Sequence, residues 1–169
     1  FLPKDIALHG VQAVREEAHA RFSATYRTYR YYVTMRKNPF AEGRMLRLYF
    51  PMDFERMNEA AQRLMDYEDF TSFSKLHTDV KTNNCRVLEA YWQKGSEEGT
   101  WIFTITADRF LRNMVRAIVG TLFAVGKSRL SVEDFVAIIE AKDRSLAGAS
   151  APAHALYLEA VGYPEGLYL

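Results

Sequence analysis

Arginines and aromatic rings alternate through Arg21-Phe22-Ser23-Ala24-Thr25-Tyr26-Arg27-Thr28-Tyr29-Arg30-Tyr31-Tyr32, with no acid among them. Rings offer a stacking surface to nucleobases, and guanidinium groups pair with phosphate or stack on bases. From Arg21 to Phe40 there are five basic residues and no Asp or Glu. The segment reads as a surface that meets RNA or DNA. It reads equally as a tyrosine-rich strand whose arginines face water, since β-propensity alone accounts for the tyrosines. A second basic group spans Arg109–Arg129, bordered only by Asp108. Arg112, Asn113, Arg116 and Gly120 fall there on the side of an expected helix opposite its apolar stripe. Arg116 sits about 130° from the centre of that stripe, at roughly 100° per residue. A solvated helix face explains such arginines. Gly120, which costs about 1 kcal/mol inside a helix, points to close packing or to a ligand.

Other chemistries find little support. His9, His19, His77 and His154 are scattered, and no pair has metal-ligand spacing, so no metal is expected. Neither a P-loop nor a GxSxG or GxGxxG motif occurs. Cys85 is the single cysteine, which excludes an internal disulfide and fits a reducing cytoplasm. Asp69-Phe70-Thr71-Ser72-Phe73 reads as a helix-exit turn that plugs the core.

These residues need a scaffold, and 169 residues, 49% hydrophobic and 25% charged, suffice for one domain. A chain of this length buries roughly 70% of its unfolded surface without disulfides or metal. The net charge of +1 hides sorted patches that can still bind a polyanion. No run approaches the ~20 apolar residues of a membrane span. Phe1 in place of a methionine suggests a piece of something longer.

Along the chain, Ile6–Val14 alternates loosely and is expected as a strand. Thr25–Met35 is the clearest strand, with Arg27, Tyr29, Tyr31 and Val33 on one face and Thr28, Arg30 and Tyr32 on the other. Arg44–Phe50 follows as a strand, and Asp53 caps a helix to about Asp66. Arg86–Gln93 and Thr100–Ala107 form a hairpin across Gly95–Gly99. Helices are expected over Leu111–Val125 and after Ser131, where Ser131-x-x-Asp134 resembles a capping box. Lys75–Arg86 reads as a mobile loop, Ala147–Ala155 as a small-residue loop, and Leu156–Val161 as a last strand. The order β-β-β-α-β-β-α-α-β predicts an α+β fold, a mainly antiparallel mixed sheet with helices on one face.

In series, several blocks resemble the C-terminal half of the tRNA pseudouridine synthase A family. Leu2-Pro3-Lys4-Asp5-Ile6-Ala7 is similar to its LPxDIAV, His19–Thr25 to HARFSAT, and Arg27–Tyr31 to RxYRY. Asp69–Phe73 matches DFTSF, Phe110–Gly120 resembles FLHHMVRNIVG, and Leu156-Tyr157-Leu158 matches LYL. The matches keep family order over nearly the whole chain. The resemblance implies isomerisation of uridine to pseudouridine at positions 38, 39 and 40 of the tRNA anticodon stem-loop. It implies no cofactor, a cytoplasmic enzyme, and a homodimer whose subunits share one tRNA.

By the same resemblance, Tyr29 stacks on the uracil near its C5 proton, Arg116 pairs with the catalytic aspartate, and Leu156 packs against the base. Arg27, Arg30 and Arg112 are candidates for RNA contact. The family's Gly-Arg-Thr-Asp-Ala-Gly-Val block with the nucleophilic aspartate does not occur in this sequence. The 169 residues are therefore expected to form the C-terminal domain, inactive alone, beside an N-terminal half that supplies the acid. The chain departs from the family at Arg112-Asn113 (two histidines), Ala155 (glycine) and Asn83-Asn84-Cys85-Arg86 (a TPxR-like segment). A stand-alone RNA-binding module without catalysis is the alternative reading.

Overall fold

The computed structural model describes residues 1–75 and 82–169. At its centre runs β1, Tyr26–Thr34. The alternation sorts its side chains: Tyr31 and Val33 are buried and Tyr29 packs against the same core, while Thr28, Arg30 and Tyr32 face the other side. Strand β4, Thr100–Ala107, pairs antiparallel with β1 from Arg27↔Ala107 to Thr34↔Thr100. Outside β4 lies its hairpin partner β3, Val87–Lys94. The opposite edge of β1 is shared. Its first part pairs antiparallel with β5, Leu156–Gly162, and its last residues pair parallel with β2, Leu46–Arg47. The result is a five-stranded mixed sheet in an α+β fold, as the element order predicts.

Helices gather on the face that carries Tyr31, Val33, Phe103 and Ile105. In α1, Phe54–Gln62, the Asp53 side chain caps the Arg56 amide at 3.0 Å. Phe54 stacks on Trp101 with ring centres 3.9 Å apart and meets Trp92 edge-on. Asn58 exchanges two hydrogen bonds with the backbone of Trp92, which covers the outer edge of β3 at that point. Apolar residues surround most of α2, Met114–Gly126, which is accordingly sandwiched. The capping box at Ser131 and Asp134 is present and opens α3, Val132–Ala141. Phe70 and Phe73 are fully buried, so Asp69–Phe73 does plug the core.

Three expectations are corrected. Ile6–Val14 is not a strand: only Val14 makes an isolated bridge, to Tyr168. Its alternating Ile6, Leu8 and Val11 stand 54%, 67% and 90% exposed, because no face of the described sheet lies against them. The Arg44–Phe50 strand shrinks to Leu46–Arg47, since β1 ends at Thr34, whose carbonyl takes the Leu48 amide. The helix expected from Leu111 begins at Met114, because Asn113 takes a left-handed conformation with φ of 69°. The loop reading of Lys75–Arg86 falls largely on residues 76–81, outside the described part.

Candidate active-site cleft

A concavity of about 840 Å³ opens at the N-terminal end of α2. Tyr29 reaches it from β1, Arg116 from the first turn of α2, and Leu156 from the start of β5. The pairing explains the meeting. Leu156 is the register partner of Tyr31, and Tyr29, Tyr31 and Leu156 all pack against the core on which α2 lies. The Tyr29 ring is braced edge-on by Phe110, centre to centre 5.1 Å, which leaves a ring face for a planar ligand.

Arg116 is held from behind. Its Nε donates to the Ala151 carbonyl at 2.6 Å, and the Ala151 amide donates back to the Arg116 carbonyl at 2.9 Å. Ala151 belongs to the small-residue loop, which lies flat along α2. Thr121 Oγ1 accepts from the Gly148 amide at 2.9 Å, and a methyl group at Gly120 would overlap the Ala149 carbonyl oxygen. Close packing is thus the reason for glycine inside this helix. Arg144 donates to the Ala147 and Gly148 carbonyls and to Ser150 Oγ, and Asn113 Nδ2 donates to the same Oγ at 2.6 Å. Tyr31 Oη donates to Pro152 at 2.9 Å. Burial raises the Tyr31 phenol well above its ordinary range, and the nearby Arg116 charge opposes that rise only in part.

The cleft lining carries Lys75, Arg112, Arg116 and Arg144 and, among the described residues, no carboxylate. With Nε engaged, the two Nη groups of Arg116 have no acceptor among the described residues. A guanidinium fork in that state accepts a carboxylate or phosphate bidentately. The cleft thus combines an aromatic ring, the apolar side chain of Leu156 and a guanidinium held in place by the loop.

Of the residues singled out from sequence, Tyr29, Arg112, Arg116 and Leu156 come together. Arg27 and Arg30 do not line the cleft. Arg27 is tied to the backbone carbonyls of Arg21, Ala24 and Asp108. Arg30 lies on the other face of the sheet, 2.7 Å from Glu159. Sequence reasoning missed Arg144 and Ser150. Their only signal was the run Ala147-Gly148-Ala149-Ser150-Ala151-Pro152, whose small residues permit backbone-to-backbone packing against Gly120. Ala155 has no positive φ, so its site imposes no need for glycine. Among the described residues no group of three or more His, Cys, Asp or Glu side chains could hold a metal. No described helix is long and apolar enough to cross a membrane.

A family model described as tRNA pseudouridine synthase matches residues 60–164. The tRNA pseudouridine synthase A of Porphyromonas gingivalis is 64% identical over 169 residues, covering 100% of this chain and 67% of that protein. That of Bacteroides thetaiotaomicron is 58% identical over 169 residues, 99% of this chain and 63% of the relative. For the more distant Bacillus velezensis protein the identity is 40% over 165 residues, 96% of this chain and 66% of the relative. The chain thus spans about two thirds of the length of the curated relatives it matches.

Proposed function

The chain belongs to the tRNA pseudouridine synthase family, and from that premise we propose that it is the C-terminal domain of an enzyme that isomerises uridine to pseudouridine in tRNA. The substrate positions are 38, 39 and 40 of the anticodon stem-loop. The catalytic aspartate comes from the remaining third of the protein and enters the cleft opposite Arg116. Its carboxylate attacks the nucleoside, the glycosidic bond to N1 breaks, and the base turns and rejoins the sugar through C5 as the bond to the carboxylate breaks. N1 gains a proton and C5 gives one up, so the reaction is an isomerisation with no redox partner.

Each wall has a part in that sequence. Extruding the base from the stack costs a few kcal/mol, offset by stacking on Tyr29 and contact with Leu156. Arg116 keeps the aspartate ionised and oriented through its free Nη groups. Lys75, Arg112 and Arg144 supply positive potential for the flanking phosphates. The enzyme acts in the cytoplasm, in keeping with the single buried thiol of Cys85, and as a homodimer with one tRNA across both subunits.

One observation carries the reading: Tyr29, Arg116 and Leu156, 40 or more positions apart in sequence, line one cleft whose described lining residues include no carboxylate. The test is pseudouridine formation in a tRNA with uridine at 38–40, followed by release of tritium from C5. The full-length protein should convert it, and the 169-residue chain alone should not. Product from the isolated chain, or none from the full-length protein, would refute the proposal.

A further inference from the structure

Beyond the small-residue loop lies a second concavity, about 490 Å³, along the C-terminal half of α2. The loop is a shared wall, and Ser150 lines both spaces. Gly120, which lines the second, is one turn from Arg116, about 6 Å along the helix axis. The far wall is the segment after β2. There Tyr49 and Phe50 stand 74% and 63% exposed.

Both rings carry a cation. The Arg47 guanidinium lies 4.8 Å from the Tyr49 ring centre, and Lys127 Nζ lies 5.5 Å from that of Phe50. Arg129 adds a third charge to the lining, and no described lining residue is acidic. The neighbouring Asp53 is engaged in capping α1. Arg47 Nε is enclosed and has no hydrogen-bond partner among the described residues.

We propose that this groove is a second RNA-contact site, taking the sugar-phosphate backbone and an unstacked base of the nucleotides adjacent to the one in the cleft. The inference rests on the reading of the cleft as a tRNA site. Rings with cations laid over them, and no carboxylate to compete, are the combination that binds single-stranded nucleic acid. A strand leaving the cleft crosses the loop and meets Arg47, Lys127 and Arg129. The charge disfavours a symmetric contact with a second copy of this chain, in which three cations would face their own equivalents.

The experiment uses the full-length protein and two exposed pairs: Lys127→Gln with Arg129→Gln, and Tyr49→Ala with Phe50→Ala. The measurements are KM and kcat for tRNA, the salt dependence of tRNA binding, and sedimentation. Each pair should raise KM about tenfold with kcat changing far less. The charge pair should also reduce the slope of log K against log salt by about 1.4, two single-strand phosphate contacts. Unchanged KM and salt slope in an active enzyme would overturn the proposal, as would a loss of dimer that accounts for the whole effect. If wild-type enzyme forms no pseudouridine, the functional reading falls separately. The salt slope of binding then still decides the groove.

Discussion

Arg116 and Ala151 exchange two hydrogen bonds, side chain to carbonyl at 2.6 Å and amide to carbonyl at 2.9 Å. The guanidinium is therefore held in place by the loop alone. Preorganised charge acts without reorganisation during reaction, and losing one such group typically lowers turnover by about 10²–10³. Arg116→Ala in the full-length enzyme should show that loss in kcat under single-turnover conditions. Arg116→Lys should recover little of it, because an ammonium cannot both donate to Ala151 and present a two-pronged fork. Near wild-type turnover in the alanine variant would remove Arg116 from the mechanism.

Gly120→Ala tests the clamp without touching a charge. The added methyl meets the Ala149 carbonyl, so the loop must lift. Overpacking of this kind costs about 1–3 kcal/mol, to be read from urea midpoints. Because Ala151 moves with the loop, kcat should fall more than KM rises. A stable variant with wild-type kcat would show that Arg116 needs no support from behind.

Tyr29 separates stacking from proton handling. Tyr29→Phe keeps the ring braced by Phe110 and should keep tRNA affinity while turnover drops. Tyr29→Ala removes the platform and should weaken binding by about 1–3 kcal/mol, measured by fluorescence anisotropy. Full turnover in the phenylalanine variant would reduce the role of Tyr29 to stacking alone.

Asp69 supplies a pH dependence to stability. Hydrogen bonds from Thr71 hold its carboxyl below the ordinary range, and Lys142 at 3.0 Å adds to them. A depressed carboxylate stabilises the fold above its unfolded pKa, and the contribution is lost as pH falls through the lower folded value. Asp69→Asn should lower the urea-unfolding free energy at pH 7 by about 1 kcal/mol or less, discounted for partial exposure. As pH falls below about 4 the gap between the two proteins should begin to narrow. An unchanged gap at pH 3 would assign the effect to packing.

Legibility from sequence followed the range of the forces involved. Period-two alternation fixed β1 and its faces, because Tyr31 and Val33 answer to one buried layer. The capping box at Ser131 was readable because its bonds lie within one turn. Ile6–Val14 misled because alternation signals a strand only where a partner and a covering face exist. The start of α2 was missed because a left-handed Asn113 depends on its bond to Ser150, 37 positions away. Resemblance located Tyr29, Arg116 and Leu156, whereas Arg144 became visible only through the carbonyls it gathers.

The hydrogen bonds that run from Thr121 to Gly148 and from Arg116 to Ala151 bind a connecting segment to a helix almost as a strand is bound in a sheet. A surface connection ordinarily tolerates added or deleted residues. Here a single insertion between Gly148 and Ala151 would slip every partner by one place and carry the arginine's support out of reach. Evolution can therefore vary the tips of this fold freely in length, but this link only in composition.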